Sequence, residues 1–240
     1  LNSSRFKLCI GLLNLLPQIK LVGLSGSISM LNAKEDDDID LFIITAKNRL
    51  FTGRLIALVL AQMLGLRRNR EARVSQVAKN FDSSPSFNNE TMKQFNNHIR
   101  NKVCLNLFFD EANLKVPEFK QTEFVGHEVL QMKPIINRDQ IYERFLQANK
   151  WVFKLFPNAK NKISNFKFLI SNQFQISNFK NSKLNKNSKL KIENLGDWVE
   201  YQLKKFQLRL INKHKTSEIV TDSQLWFHPD DFEKKLFCHS

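Results

Sequence analysis

Cysteine, glycine, acid and long apolar runs are all scarce in this chain. Only three cysteines, Cys9, Cys104 and Cys238, occur in 240 residues. They lie far apart and form no CxxC, which excludes a zinc knuckle and a disulfide framework. A reduced, cytoplasmic setting is therefore expected. Seven glycines and six prolines are too few for a collagen-like chain or a Gly/Pro-rich disordered one. The longest apolar run, residues 55–66, is broken by Gln62. A bilayer span needs about 20 apolar residues, so no membrane insertion is expected. Opening on Leu1 rather than Met, the sequence reads as a fragment or as the product of an unusual start codon.

What is present is a 42% hydrophobic chain with 37 basic and 23 acidic side chains, a net charge of +14. That length and apolar content suffice for one large domain or two small ones. The charge suits a polyanionic partner, but its position weakens the argument. Residues 160–192 repeat themselves: Ile163-Ser164-Asn165-Phe166-Lys167 returns as Ile176-Ser177-Asn178-Phe179-Lys180. Eight lysines and no acid lie between Lys160 and Lys191. This is a low-complexity insertion, and it supplies more than half of the net charge.

Elsewhere the pattern is ordered. Phe6, Ile10, Leu13 and Leu16 recur at helical spacing until Pro17. Residues 19–24 read as a strand. Residues 49–66 read as a helix with Leu50, Leu55, Leu58, Val59 and Leu66 on one face, and Arg67, Arg68 and Arg70 complement the dipole at its end. Residues 71–100, rich in Ser and Asn, read as a loop. Residues 103–110 read as a strand with Val103, Leu105, Leu107 and Phe109 on one face. Cys104, Asn106, Phe108 and Asp110 take the other. After that the pattern is helical. One helix starts at Pro117 and stops before Pro134. Another is capped by Asp139 and runs to Pro157, and a third begins at Asp197 with Glu200 as a capping-box pair. His127 reads as a core or groove histidine. His228, Asp230 and Asp231 read as a helix cap after Pro229 rather than a metal site.

Residues 21–45, LVGLSGSISMLNAKEDDDIDLFIIT, stand apart. A strand leads into Ser25-Gly26-Ser27, and a short helix at 27–33 follows. A second strand then opens with Asp38 and Asp40. Side chains at i and i+2 on a strand share a face. The two carboxylates are therefore paired, and Ile39, Leu41 and Ile43 face a core. Paired carboxylates suit a divalent metal. A glycine turn leading into a helix N-terminus suits a phosphate. An isolated Asp-x-Asp is weak evidence, but the composite is specific.

The composite Gly26-Ser27 with Asp38-Ile39-Asp40 resembles the signature of the polymerase-beta-type nucleotidyltransferase superfamily. The resemblance covers about 25 residues strongly and the rest loosely. It implies an α+β fold, a small mixed sheet with flanking helices over residues 1–116. A helical C-terminal region over 117–240 would follow. It also implies an NTP substrate held by Gly26, Ser27 and Ser29, with Asp38 and Asp40 holding two Mg²⁺ ions. The activity implied is transfer of an NMP to a hydroxyl on a small molecule, a protein or an RNA. The family's third carboxylate sits within a later strand, and the position that resembles it here is Asn106. Three possibilities follow. Asp110 replaces it as a catalytic residue, the site holds one metal, or the domain is a weakened nucleotide- or RNA-binding module.

Overall fold

The computed structural model describes residues 4–26, 39–67, 102–159, 186–213 and 218–227, with side chains from 195 onward in the 186–213 stretch. The predicted helix at 27–33, the loop at 71–100 and most of the low-complexity insertion lie outside these residues. So do Ser27, Ser29, Asp38, His228, Asp230 and Asp231.

Among the described residues six strands form one sheet: β1 (Ile19–Ser25), β2 (Ile39–Thr45), β3 (Val103–Asp110), β4 (Lys133–Asn137), β5 (Ile219–Val220) and β6 (Gln224–Trp226). Their order is β4-β1-β2-β3-β6-β5. Only β2 and β3 run parallel, and every other neighbouring pair is antiparallel. The expected mixed sheet with flanking helices is therefore the fold. No described helix is long and apolar enough to cross a membrane.

The expected division at 116/117 does not separate the sheet. β4, β5 and β6 come from the region read as helical, and they complete both edges. β4 replaces the expected helix stop at Pro134, a residue that cannot donate to a ladder. It is tolerated at the sheet edge, opposite Gly23, beside a register shift in β1.

Two apolar layers cover the sheet. On one face, Ile39, Leu41, Ile43, Val103 and Phe108 pack with α1 (Ser4–Leu15) and α2 (Leu50–Met63). α1 buries Phe6, Cys9, Ile10 and Leu13 at the predicted spacing. α2 departs from the predicted face. It buries Leu50, Phe51, Gly53, Ala57 and Ala61, while Val59 is 46% exposed. The residues at 53, 57 and 61 are small, which lets the helix sit close on the sheet; a Cβ at Gly53 would strike Thr45. On the other face, Phe42, Ile44, Phe109 and Trp226 pack with α3 (Glu123–Gln131) and α4 (Ile141–Ala148). Phe42 and Phe109 meet edge to face at 5.1 Å, and Phe145 of α4 lies 5.2 Å from Phe42.

Three predicted helix starts and stops are corrected. α3 begins after Thr122, whose hydroxyl accepts from Val125 N, and a short 3₁₀ turn at Glu118–Lys120 precedes it. Asp139 does not cap α4. It pairs with Lys20, and Asn137 Oδ1 accepts from Tyr142 N instead. The helix after it does not run unbroken to Pro157. It stops at Asn149, whose buried side chain accepts from Val116 N and donates to Leu114 O. The short helix α5 (Val152–Leu155) follows.

The long helix α6 (Lys186–Asn212) passes through Gly196 and Asp197 without a start there. Asp197 pairs with Arg49 at 2.6 Å. Glu200 is buried and caps a different helix, accepting from Phe51 N at 2.6 Å and Thr52 N at 2.9 Å in the first turn of α2. Gln207, two helical turns later, donates to Phe51 O and accepts from Arg54. α6 is thus fastened across α2 by polar groups that satisfy buried backbone.

Candidate functional site

The end of β1 and the start of β2 meet at one point. Ser25 pairs with Asp40 in the antiparallel register. Gly26 follows Ser25 with φ +66°, a conformation glycine adopts at little cost. A Cβ at Gly26 would collide with the Asp40 carboxylate and stand 3.1 Å from Asp40 Cγ. The glycine of the turn and the second acid of the Asp-x-Asp are therefore packed together. Asp40 remains half-buried, while Ile39 and Leu41 on either side are fully buried on the opposite face.

β3 runs parallel beside β2 and pairs Cys104 with Asp40. Leu41 then faces Leu105 and Phe42 faces Leu107, so one extra residue, Asn106, is inserted into β3. This bulge has a large consequence for facing. Residues 103 and 105 point to the α1/α2 side, as does Phe108. Leu107 and Phe109 point to the α3/α4 side with Phe42. The predicted alternation therefore holds up to Asn106 and inverts beyond it. Asn106 lies on the face of Asp40, its Nδ2 3.5 Å from Asp40 Oδ1. Its carbonyl accepts from Phe227 N at 2.9 Å, which fixes the bulge against the end of β6.

Asp110 is not brought to this site. It pairs with Thr45 at the far end of β2, roughly 20 Å along the strand from the Cys104 position. The bulge also turns it to the opposite face. Its carboxylate accepts from Asn48 N at 2.8 Å and Ala112 N at 2.7 Å. Burial raises its pKa above the ordinary carboxylate value. The amides of Ala112, Asn48 and Arg49 oppose that rise, and the Glu200 charge adds to it. Asp110 therefore ties the β2–α2 turn and does not stand beside Asp40 as a third carboxylate.

The remaining candidates fall away from Asp40. His127 is exposed and packs against Phe156 with its ring tilted by 53° and the centroids 4.3 Å apart. Arg67 bridges to Val103 on the β3 edge, and its charge helps burial pull Arg54 down to about 10. Below Asp40, on the same face, a cavity of about 20 Å³ is lined by Ser25, Phe42, Leu107, Glu128, Met132 and Trp226, among others. It has room for about one water. Glu128 and Trp226 were not candidates from sequence, since neither sits in a recognisable spacing.

The donor chemistry suits a hard cation. Asp40 offers carboxylate oxygens, and Asn106 offers a neutral amide whose carbonyl is a weaker ligand. Among the described residues no group of three or more His, Cys, Asp or Glu side chains could hold a metal ion. The described half of the site supplies one acid, and the other predicted acid, Asp38, lies outside the described residues.

No family model matches this sequence, and no curated protein matches it. Among solved structures, the chain is similar to a mutant of the toxin–antitoxin MntA–HpeT. Identity there is 14%, coverage is 70% of this chain and 99% of that one, and the TM-score is 0.30. It is also similar to a toxin–antitoxin with AMP-PNP, at 14% identity over 71% of this chain and 99% of that one, with a TM-score of 0.28. Scores this low assign neither a ligand nor a reaction.

Proposed function

We propose that this protein is a metal-dependent nucleotidyltransferase that moves an NMP from an NTP to a hydroxyl acceptor. The observation that carries the reading is the packing of Gly26 against the Asp40 carboxylate. It brings a phosphate-type turn and a metal-type acid to one point from two strands. Either half alone is common, and their meeting is what such a site requires. Asp38 and Asp40 would hold Mg²⁺, and Gly26, Ser27 and Ser29 would take the phosphates. The ion would neutralise charge on the triphosphate and make the acceptor hydroxyl easier to deprotonate. This chain's own contribution is positioning: it aligns the acceptor oxygen with the α-phosphorus and pyrophosphate with the turn. The acceptor is a hydroxyl on a small molecule, a protein or an RNA.

Asn106 favours a second reading, a nucleotide-binding module with weak transfer. The amide stands where a third carboxylate would complete a two-metal site, and Asp110 does not replace it. One experiment addresses both readings. Calorimetry with ATP and GTP in Mg²⁺ should give binding that Asp38→Ala with Asp40→Ala abolishes. Pyrophosphate release with an acceptor then separates transferase from module. No NTP binding by the wild-type protein in Mg²⁺ or Mn²⁺ would overturn both.

A further inference from the structure

α6 sorts its charges by side. Glu200 and Gln207 are buried against α2. At about 100° per residue, Trp198 points directly away from Gln207, and Tyr201, Gln202, Lys205, Arg209 and Lys213 lie within about 60° of Trp198. All six are exposed. Lys205, Arg209 and Lys213 follow one another at one-turn intervals, ~6 Å apart along the axis. Trp198 and Tyr201 continue the line toward the start of the helix, and Lys205 Nζ lies 5.3 Å from the Tyr201 ring centroid. No acid shares this face. Between residues 195 and 213 the acids are Asp197 and Glu200. Arg49 holds the first, and the first turn of α2 holds the second. A helix face that is merely solvated tends to alternate in sign. The basic surface also continues past α6. Gln207 accepts from Arg54, whose Cζ lies 4.8 Å from the Phe227 ring centroid. Arg67, exposed at the β3 edge, is near enough for its charge to act on Arg54.

We propose that this outward face of α6 binds a single-stranded nucleic acid. Lys205, Arg209 and Lys213 take successive phosphates, and Trp198 and Tyr201 stack on unpaired bases. The charge selects a polyanion, and evenly spaced cations suit one whose own charges are evenly spaced. The rings beside them suit bases, each of which has a π-face whatever its identity. An acidic membrane surface is the other polyanion a basic helix meets, but such a helix must lay an apolar side into the acyl boundary. The side of α6 opposite the cations is packed on α2, and the outward face carries Gln202 among its cations.

Three phosphate contacts set the expected salt dependence. On a single strand each contributes ~0.7 to the slope of log K against log salt, so these cations account for about 2. α6 lies on the α1/α2 face of the sheet, opposite Asp40, so the strand would leave the candidate site open. The inference does not depend on the nucleotide reading. The lysines of the low-complexity insertion are a second basic segment, and the test separates them from α6.

The test is fluorescence anisotropy of the full chain with labelled oligo-dT and oligo-rU of about 15 nucleotides, from ~50 to ~200 mM NaCl. Both strands offer phosphates and unpaired bases, and binding of either is the expected result. Lys205→Gln with Arg209→Gln and Lys213→Gln should weaken binding at least tenfold at the lowest salt and reduce the slope by about 2. Trp198→Ala with Tyr201→Ala should weaken binding about fivefold or more and leave the slope unchanged. Lys205→Arg with Lys213→Arg should bind as the wild type does. All three variants should keep the wild-type melting temperature, because these side chains point away from α2. Lys162→Gln with Lys167→Gln and Lys180→Gln, the matched change in the insertion, should weaken binding less than the α6 change does. No binding of either strand overturns the inference. So does a loss confined to the insertion variant, or wild-type affinity in the Trp198→Ala, Tyr201→Ala variant. Co-sedimentation with phosphatidylserine vesicles without oligonucleotide binding identifies a membrane surface instead and also overturns it.

Discussion

The Asn106 amide nitrogen lies 3.5 Å from Asp40 Oδ1, across the parallel strands β2 and β3. A neutral side chain here can donate to the acid. A carboxylate in the same place would repel it unless a cation lay between them. Without a cation the pair therefore tolerates Asn106 well, and under the proposed function the cost of an amide here would fall on metal binding.

This relationship gives the first prediction. Asn106→Asp should lower the melting temperature of the apo protein by a few degrees, for a like-charge penalty of about 1 kcal/mol. Mg²⁺ or Mn²⁺ at 10 mM should restore more of that loss than any stabilisation it gives the wild type. Thermal melts with and without cation measure both effects. An equal response to cation in both proteins would mean that position 106 does not face the metal.

Gly26 supports the second prediction. Its φ of +66° and its contact with the Asp40 carboxylate leave no place for a side chain. Gly26→Ala should cost ~1–3 kcal/mol, about 2–10 °C in a domain of this size. It should also weaken Mg²⁺-dependent NTP binding at least tenfold, because relief comes through movement of Asp40. Calorimetry on the folded variant measures the loss. Unchanged NTP affinity would separate the turn from the acid and remove the main support for the proposed function.

Much of this site was legible in the sequence because its signals are local. Gly26 follows directly on β1 and Asp40 lies on the adjacent antiparallel strand, and the Asp-x-Asp alternation sends Ile39, Leu41 and Ile43 into the core as the period of two requires. Asp110 was misplaced because alternation was carried through Asn106. A bulge has no reliable signature in one sequence, and one inserted residue inverts every side chain after it. β4 was hidden by Pro134, and β6 is only three residues long. Glu200 was assigned to the start of its own helix, since Asp-x-x-Glu has the spacing of a local cap. Its partners, Phe51 and Thr52, are about 150 residues away, and no local pattern announces them.

Glu200 gives the third prediction. Its carboxylate satisfies Phe51 N, Thr52 N and the Thr52 hydroxyl, and it is 8% exposed. Glu200→Ala strands two amides at the N-terminus of α2 and removes a charge that complements the helix dipole. The expected cost is ~2–4 kcal/mol. Chemical denaturation should show it as a lower midpoint with an unchanged slope. Glu200→Gln should recover part of it, because the amide oxygen still accepts. A loss under ~0.5 kcal/mol, the range of ordinary surface substitutions, would mean α6 is not what caps α2.

Asp110 gives the fourth prediction, in pH. Its folded pKa is raised, mainly by burial, and the amides of Ala112, Asn48 and Arg49 offset only part of that effect. Glu200, reaching in from α6, is the nearby carboxylate that adds to the rise. A group with a raised folded pKa holds its proton in the native state over a range where the unfolded chain has lost it. Stability then falls as pH rises through that range. The contribution is complete below the unfolded value of about 4 and is lost above the raised folded value. Asp110→Asn cannot titrate, so the wild type should lose melting temperature relative to this variant as pH rises from about 4. Asn48 N and Ala112 N donate to different oxygens of Asp110, and an Asn side chain keeps only one of those oxygens, so a constant offset should lie beneath the slope. Because Asp110 sits on the opposite face from Asp40, Mg²⁺-dependent NTP binding should be the same in both proteins at pH 7.5. Parallel pH profiles would show that Asp110 titrates normally. A loss of NTP binding in the variant would return Asp110 to the site from which the register of β2 and β3 removes it.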